Sequence, residues 1–317
     1  MGNKLYSHPC IYMSSREYLQ ITPEQNKIYW VLGEDGSYGV YKNDVLIDGC
    51  EVRFWHLIQN KVRTGTFSQY YSIGDQFTIP WNNTDLLWDV VAIDVACPAD
   101  PTKTHSVTLM PHGLISYKID FEFDSSEPTN PNICSDIDNC DSISGRKYYG
   151  NNRYSHSAIR QWLNSAANSG SWWHAQHEYD SPPSYANRMD GFMKGIPSGF
   201  LSVVGDTKIK VALNKVTDGG GYEEIIDKFY LPSTTEVGVD DDCTLKADKP
   251  AEGSLFPYFT SKEKRMKAGR HKNVTEWMLR TPSIDFTTSE YVIWKGGSLS
   301  CRYSCTGVGV CPACNII

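Results

Sequence analysis

Four cysteines crowd the end of the sequence as Cys301-x3-Cys305-x5-Cys311-x2-Cys314, with Arg302 and Tyr303 between the first two. Soft ligands at that density are the chemistry of a structural zinc site, of disulfides or of a reactive thiol. A four-cysteine zinc site presents two well-spaced pairs, each on its own turn. Here only five residues separate Cys305 from Cys311. The crowding argues against zinc, so no metal is assigned, and a disulfide among these four stays open.

Other candidate chemistry is sparser. Cys134 and Cys140 flank an Asp-rich stretch with Asp136, Asp138 and Asp141, but the glycine and distal glutamate of a calcium loop are missing, so it reads as a solvated polar loop. His105, His112, His156, His174 and His177 are scattered and form no ligand set. There is no G-x-S-x-G. Asp218-Gly219-Gly220-Gly221 lacks the strand and helix that frame a phosphate cradle, so it reads as a turn. No catalytic residue and no cofactor are expected.

The elements that must position these residues belong to a chain of 317 residues, long enough for one large domain or two smaller ones. Its 30 Lys and Arg against 37 Asp and Glu give a net charge of −7, unlike the basic face of a nucleic-acid binder. Nineteen Tyr, nine Trp and 25 Gly with few charges fit a loop-rich β or α+β protein that recognises partners through aromatic surface. The start, MGNKLYSHPC, has no apolar signal core, and Tyr6 occupies the Ser/Thr position of a myristoylation site. No run reaches the roughly 18 apolar residues of a membrane span, so no membrane insertion is expected. Cys10, Cys50, Cys97 and Cys243 then read as reduced, packed thiols.

Along the chain, Lys27 to Ile47 reads as a hairpin about Gly33-Glu34-Asp35-Gly36. SIGDQFTIPW, LLWDVVAIDVA and HSVTLMPHGLISYKIDF read as strands broken at Asn82-Asn83, Pro98 and Pro101. Asp124 to Asp141 is a long polar connection. YSHSAIRQWLNSAA predicts a helix capped by Ser155 or Ser157, with Ile159, Trp162 and Leu163 on one stripe. YANRMDGFMKGIPSGFLSVV predicts a second helical piece. KIKVAL and DKFYLPS read as strands, and the rest, including the cysteine-rich end, reads as turn-rich. Strands, then helices, then irregular β indicate α+β rather than alternating βαβ.

Several fragments, taken in order, resemble one family. They are Ile73-Gly74-Asp75, Trp88-Asp89-Val90-Val91, YSHSAIRQWLNS, SWWHAQHEYD, RMDGFMKGIPSGFLSVV, VTDGGG, DKFYLPSTTEVG, SLFPYF, TEWMLRTPS and VGVCPACNI. Together they resemble the C-type-lectin-like domain of the DUF6273 type, related to the formylglycine-generating-enzyme fold, from Phe54 to Ile317. The resemblance implies a C-type-lectin-like α+β fold with irregular β-sheet, two helices and long loops. A small β-hairpin region over residues 1–53 precedes it, for attachment or oligomerisation.

Many domains of this type are variable targets of diversity-generating retroelements, which rewrite the 3′ end of the gene with adenine-directed errors. Framework positions of such targets match Trp277, Leu279, Arg280, Pro282, Gly297, Gly309, Pro312 and Cys314 here. The resemblance places a variable region at about 283–308. Its ligand-binding face would comprise Phe286, Thr288, Tyr291, Trp294, Ser300, Cys301, Arg302, Tyr303, Cys305, Thr306 and Val308. The last seven of these stand where relatives carry Asn, and each can arise from an AAC codon; Trp294 and Lys295 cannot.

The resulting expectation is a non-enzymatic phage tail or fibre adhesin, located in the virion and assembled in the host cytoplasm. Its expected partners are a host cell-surface protein or glycan, other phage structural proteins and further copies of itself, a trimer by analogy. The alternatives are a bacterial or prophage lectin-like binding protein without a particle role, and a formylglycine-generating-type oxidase. Against the oxidase, Cys301 and Cys305 fall at positions expected to vary, where an essential thiol cannot sit.

Overall fold

The computed structural model describes residues 10–25, 27–32, 38–42, 45–49, 51–123, 150–176, 180–239, 250–269 and 273–317. The Gly33–Gly36 turn, the Asp-rich connection with Cys134 and Cys140, and Cys50, Cys243 and His177 lie outside the described residues. The fold is mixed, with many strands in sheets and few helices, in rough α+β order.

Strands are numbered along the chain. β1 (Cys10–Ser14), β2 (Ile28–Leu32), β3 (Tyr38–Lys42) and β4 (Val45–Gly49) form an N-terminal sheet in that order. The expected hairpin is the antiparallel pairing of β2 with β3, and β1 joins β2 in parallel. A one-turn helix, α1 (Ser15–Tyr18), follows β1 and is closed by a capping box between Ser14 and Glu17. Helix α2 (Glu51–Arg63) has two working faces. Leu57 packs with Tyr18 of α1 and with Tyr29, Val31 and Tyr41 of the N-terminal sheet. Trp55, Ile58 and Val62, spaced for a single helical stripe, enter the main core.

The main core is built around an antiparallel sheet. It contains β5 (Gln76–Trp81), β6 (Thr84–Ile93), β8 (Val107–Pro111), β12 (Phe229–Tyr230) and β19 (Ala313–Ile316), in the order β12-β19-β8-β6-β5. β5 and β6 turn through Asn82 and Asn83, both at positive φ (47° and 58°), the two-residue turn that asparagine tolerates. β5 is an edge strand and alternates exposed with buried residues at its start. All five residues of β8 and all four of β19 are buried. A bulge at Val91 frees that carbonyl from the ladder, and Tyr258 N–H donates to it at 3.2 Å.

A smaller sheet joins β7 (Cys97–Pro98), β10 (Thr207–Ala212) and β11 (Tyr222–Asp227), with the Gly219-Gly220-Gly221 turn linking β10 to β11. β13 (Lys267–Ala268) pairs with β14 (Val274–Thr275). The last sheet is β17 (Leu299–Tyr303), β16 (Ser289–Ile293), β15 (Trp277–Pro282), β18 (Val308–Val310) and β9 (Ser116–Ile119), in that order.

The predicted helix over YSHSAIRQWLNSAA is found as α3 (Ala158–Leu163), preceded by a tight turn over Tyr154–His156. Ser157 is its cap and accepts from the Arg160 N–H. Ile159, Trp162 and Leu163 are buried as the stripe requires. The second helical piece is corrected: its only helical segments are a 3-10 turn at Phe192–Gly195 and one turn, α4 (Ser198–Leu201). Gly191 lies too close to the Ser165 backbone for a side chain, and Gly195 too close to Trp81. Pro197 then sets the start of α4. Close approach to the core, not helical propensity, governs this stretch. The turn-rich reading of the C-terminus is also corrected, because five strands, β15 to β19, run through residues 277–316.

Candidate functional site

The candidate site follows from a detour in the last sheet. β15 and β18 are parallel neighbours, with Trp277 opposite Gly309. Between them the chain leaves through 283–288, runs along β16, turns and returns along β17 at the sheet edge. The anchors on either side are buried: Trp277, Leu279, Arg280 and Pro282 before the detour, Gly309, Pro312 and Cys314 after it. Trp277 Nε1 donates to the Arg265 carbonyl at 2.9 Å. A Cβ at Gly309 would lie 2.5 Å from Leu114 Cδ1 and 2.8 Å from the Glu276 carbonyl oxygen. The turn at Trp294–Ser298 needs Gly297 at φ 77°, where a Cβ would also strike the Lys262 carbonyl.

The predicted ligand-binding residues divide by depth. Phe286, Trp294 and Tyr303 are exposed, at 40%, 36% and 38%. Ser300, Cys301, Arg302, Cys305 and Thr306 are half-buried on or beside the edge strand β17. Thr288, Tyr291 and Val308 are corrected, because all three lie beneath the surface. Sheet alternation does not help here: every residue of β16 is buried because both its faces are covered. Arg302 and Trp294 meet, with the guanidinium carbon 5.1 Å from the ring centroid, and Lys295 Nζ lies 5.3 Å from it.

Two residues unremarked in the sequence hold this surface. Asn152 Nδ2 donates to the carbonyls of Ser283 (3.1 Å), Phe286 (2.9 Å) and Ser289 (2.8 Å), and its N–H donates to the Thr287 carbonyl at 3.0 Å. One buried side chain thus fixes the outgoing loop. Asn152→Ala is expected to cost about 2–4 kcal/mol, because buried carbonyls lose their donor; urea unfolding measures it. Glu290 lies on β16, opposite Arg302 on β17, and accepts from Ser304 Oγ at 2.9 Å. Burial pushes its carboxyl up to about 8.

Glu122 is likewise pushed up to about 8 by burial. A carboxyl raised in the folded state stabilises most below its unfolded value near 4.5 and loses that contribution as pH rises toward 8. Stability is therefore expected to fall from pH 5 to pH 8, and Glu290→Gln is expected to flatten that slope. Urea midpoints at three pH values test this, and an unchanged slope would exclude Glu290 as a source.

Beneath the anchors lies a buried ionic network. Arg280 forms a bidentate pair with Glu236 (2.7 and 2.8 Å), donates to the Leu231 carbonyl at 2.8 Å, and lies 4.0 Å from Glu252. Burial opposes the Arg280 charge, yet Glu236 and Glu252 hold its pKa above the ordinary value. Burial raises Glu252, whose carboxylate accepts from Thr281 Oγ1 and from the Ala212 N–H. A cleft of about 350 Å³ opens beside this network, lined by Cys97, Lys208, Lys210, Tyr230 and Glu236 among others.

Among the described residues, Cys301, Cys305, Cys311 and Cys314 form no disulfide. Cys314 sits in β19 and Cys311 donates from Sγ to the Pro111 carbonyl at 3.3 Å. Burial pushes Cys311 up to about 11 and Cys314 well above its ordinary value, so neither is a thiolate at neutral pH. Among the described residues no group of three or more His, Cys, Asp or Glu is placed to hold a metal ion. His112 and His105 instead pair singly with Asp89 (3.0 Å) and Asp94 (3.2 Å). No helix among the described residues is long and apolar enough to cross a membrane.

A family model described as a domain of unknown function, DUF6273, matches residues 133–317. That is more than half of the chain, though it begins well after the Phe54 start of the sequence resemblance. It includes the whole detour and both sets of anchors. No curated protein and no solved structure matches the chain.

Proposed function

We propose that this chain, which belongs to the DUF6273 family, is a non-enzymatic binding protein that presents the β16–β17 hairpin to a host-surface ligand. The observation that carries the reading is the detour itself. Buried anchors on neighbouring strands bracket a stretch whose exposed and half-buried side chains can change without disturbing the sheet that holds them. Phe286, Trp294, Arg302 and Tyr303 are residue types that dominate interface energetics, and Ser300 and Thr306 are small neighbours that adapt around them.

In the fuller form of the proposal, the domain is C-type-lectin-like and serves as a phage tail or fibre adhesin. A retroelement diversifies residues around 283–308, and the N-terminal sheet attaches the domain to the particle or to sister copies. Sequencing the DNA around the gene tests the diversification: a reverse-transcriptase gene and a template repeat are expected. Adsorption tests the binding role. Host cells should retain the purified chain, and Trp294→Ala with Tyr303→Ala should release it. A parent chain that host cells never retain would overturn the adhesin reading.

A further inference from the structure

We infer that Arg302 and Trp294 form a subsite for a carboxylate-bearing sugar; this rests on the binding-face reading and specifies its ligand. Arg302 is fixed in place but only partly used. Its Nη1 donates to the Cys301 carbonyl at 2.8 Å, and its guanidinium lies against the Trp294 ring. Its Nη2 is 2.8 Å from Glu276 Oε2, yet that oxygen is out of hydrogen-bond alignment. Among the described residues, the Nε side of the fork has no acceptor. A planar fork held by its neighbours with donors to spare is prepared for a second, well-aligned carboxylate.

The surroundings select the rest of the ligand. Glu276 already offsets part of the guanidinium charge at 2.8 Å, whereas burial raises Glu290, across the strand pair, to about 8 and so disfavours a second negative charge beside Arg302. Lys295 adds a second cation at the ring. The exposed Trp294 offers a flat apolar surface on which the C–H face of a pyranose can lie. The net charge of −7 repels dense polyanions such as nucleic acid, whereas one carboxylate on an otherwise neutral ring meets the fork at short range. An acidic peptide offers the carboxylate without the rigid ring face.

The test uses the full chain and three probes: galacturonic-acid oligomers, uncharged galactose oligomers of the same length, and a polyglutamate peptide. Titration calorimetry is expected to show the acidic sugar bound at least about tenfold more tightly than the neutral one, with the preference shrinking as salt rises. Arg302→Lys should remove most of that preference, because an ammonium cannot pair in a plane. Trp294→Ala should weaken both sugars. The inference is overturned by equal binding of the two sugars, by no binding of either, by tighter binding of polyglutamate, or by a preference that survives Arg302→Lys. If host-cell retention still depends on Trp294 and Tyr303 in those cases, the binding-face reading stands alone. If it does not, both fall.

Discussion

Arg280→Met is expected to destabilise the protein by about 3–5 kcal/mol, because it strands buried carboxylates rather than merely removing a contact. Glu236 loses both hydrogen bonds of its bidentate partner, and Glu252 loses the only guanidinium near it among the described residues. The melting temperature should fall by about 10 °C. The double variant Arg280→Met with Glu236→Gln should recover a substantial part, since the amide carries no charge to leave unpaired. Calorimetry on the parent, single and double variants separates these outcomes. If the single variant melts like the parent, the network contributes specificity rather than stability.

If the proposed binding role holds, the effect should reach the β16–β17 hairpin. Arg280 lies on β15, one of the two strands that bracket it, and donates to the Leu231 carbonyl beside β12. Host-cell retention by Arg280→Met should therefore weaken even below its melting point, although Arg280 itself is fully buried.

A chain ended after Pro312 is expected not to fold. β19 supplies the ladder between β12 and β8, pairing Cys314 with Phe229 and Leu109, and Asn315 with Thr108. Without it, two buried strands expose unpaired backbone edges, an aggregation-prone surface. The shortened chain should appear in the insoluble fraction, whereas the full chain stays soluble under the same expression. A soluble shortened chain with the parent's near-ultraviolet circular dichroism would show that β19 is dispensable.

How much of this was legible depends on where each element's information lies. The β5–β6 hairpin announces itself in Asn82-Asn83, and α3 in Ser157 followed by the Ile159, Trp162, Leu163 stripe. Both signals are local. β18 and β19 carry no such signal, because strands covered on both faces lose the two-residue alternation, and glycine and cysteine have little strand preference of their own. Trp294 lies at the hairpin turn and Tyr303 at the far end of β17, both exposed, but the depth of Thr288, Tyr291 and Val308 depends on what covers the sheet.

Glu236 had a readable sign. Ser233-x-x-Glu236 is a reciprocal cap, with Ser233 N–H donating to the carboxylate and Glu236 N–H to the hydroxyl. Its bond to Arg280, 44 positions away, had none. Nor did Asn152, whose three acceptors lie more than 130 positions along the chain.

Helix α2 belongs to two cores at once, Leu57 to one and Trp55, Ile58 and Val62 to the other. Losing the N-terminal sheet would wet one side of α2, and melting the main core would remove the wall against which that sheet rests. The two should therefore denature as one cooperative unit, and a load applied to the N-terminal strands should pass into the body through a helix rather than slacken in a tether.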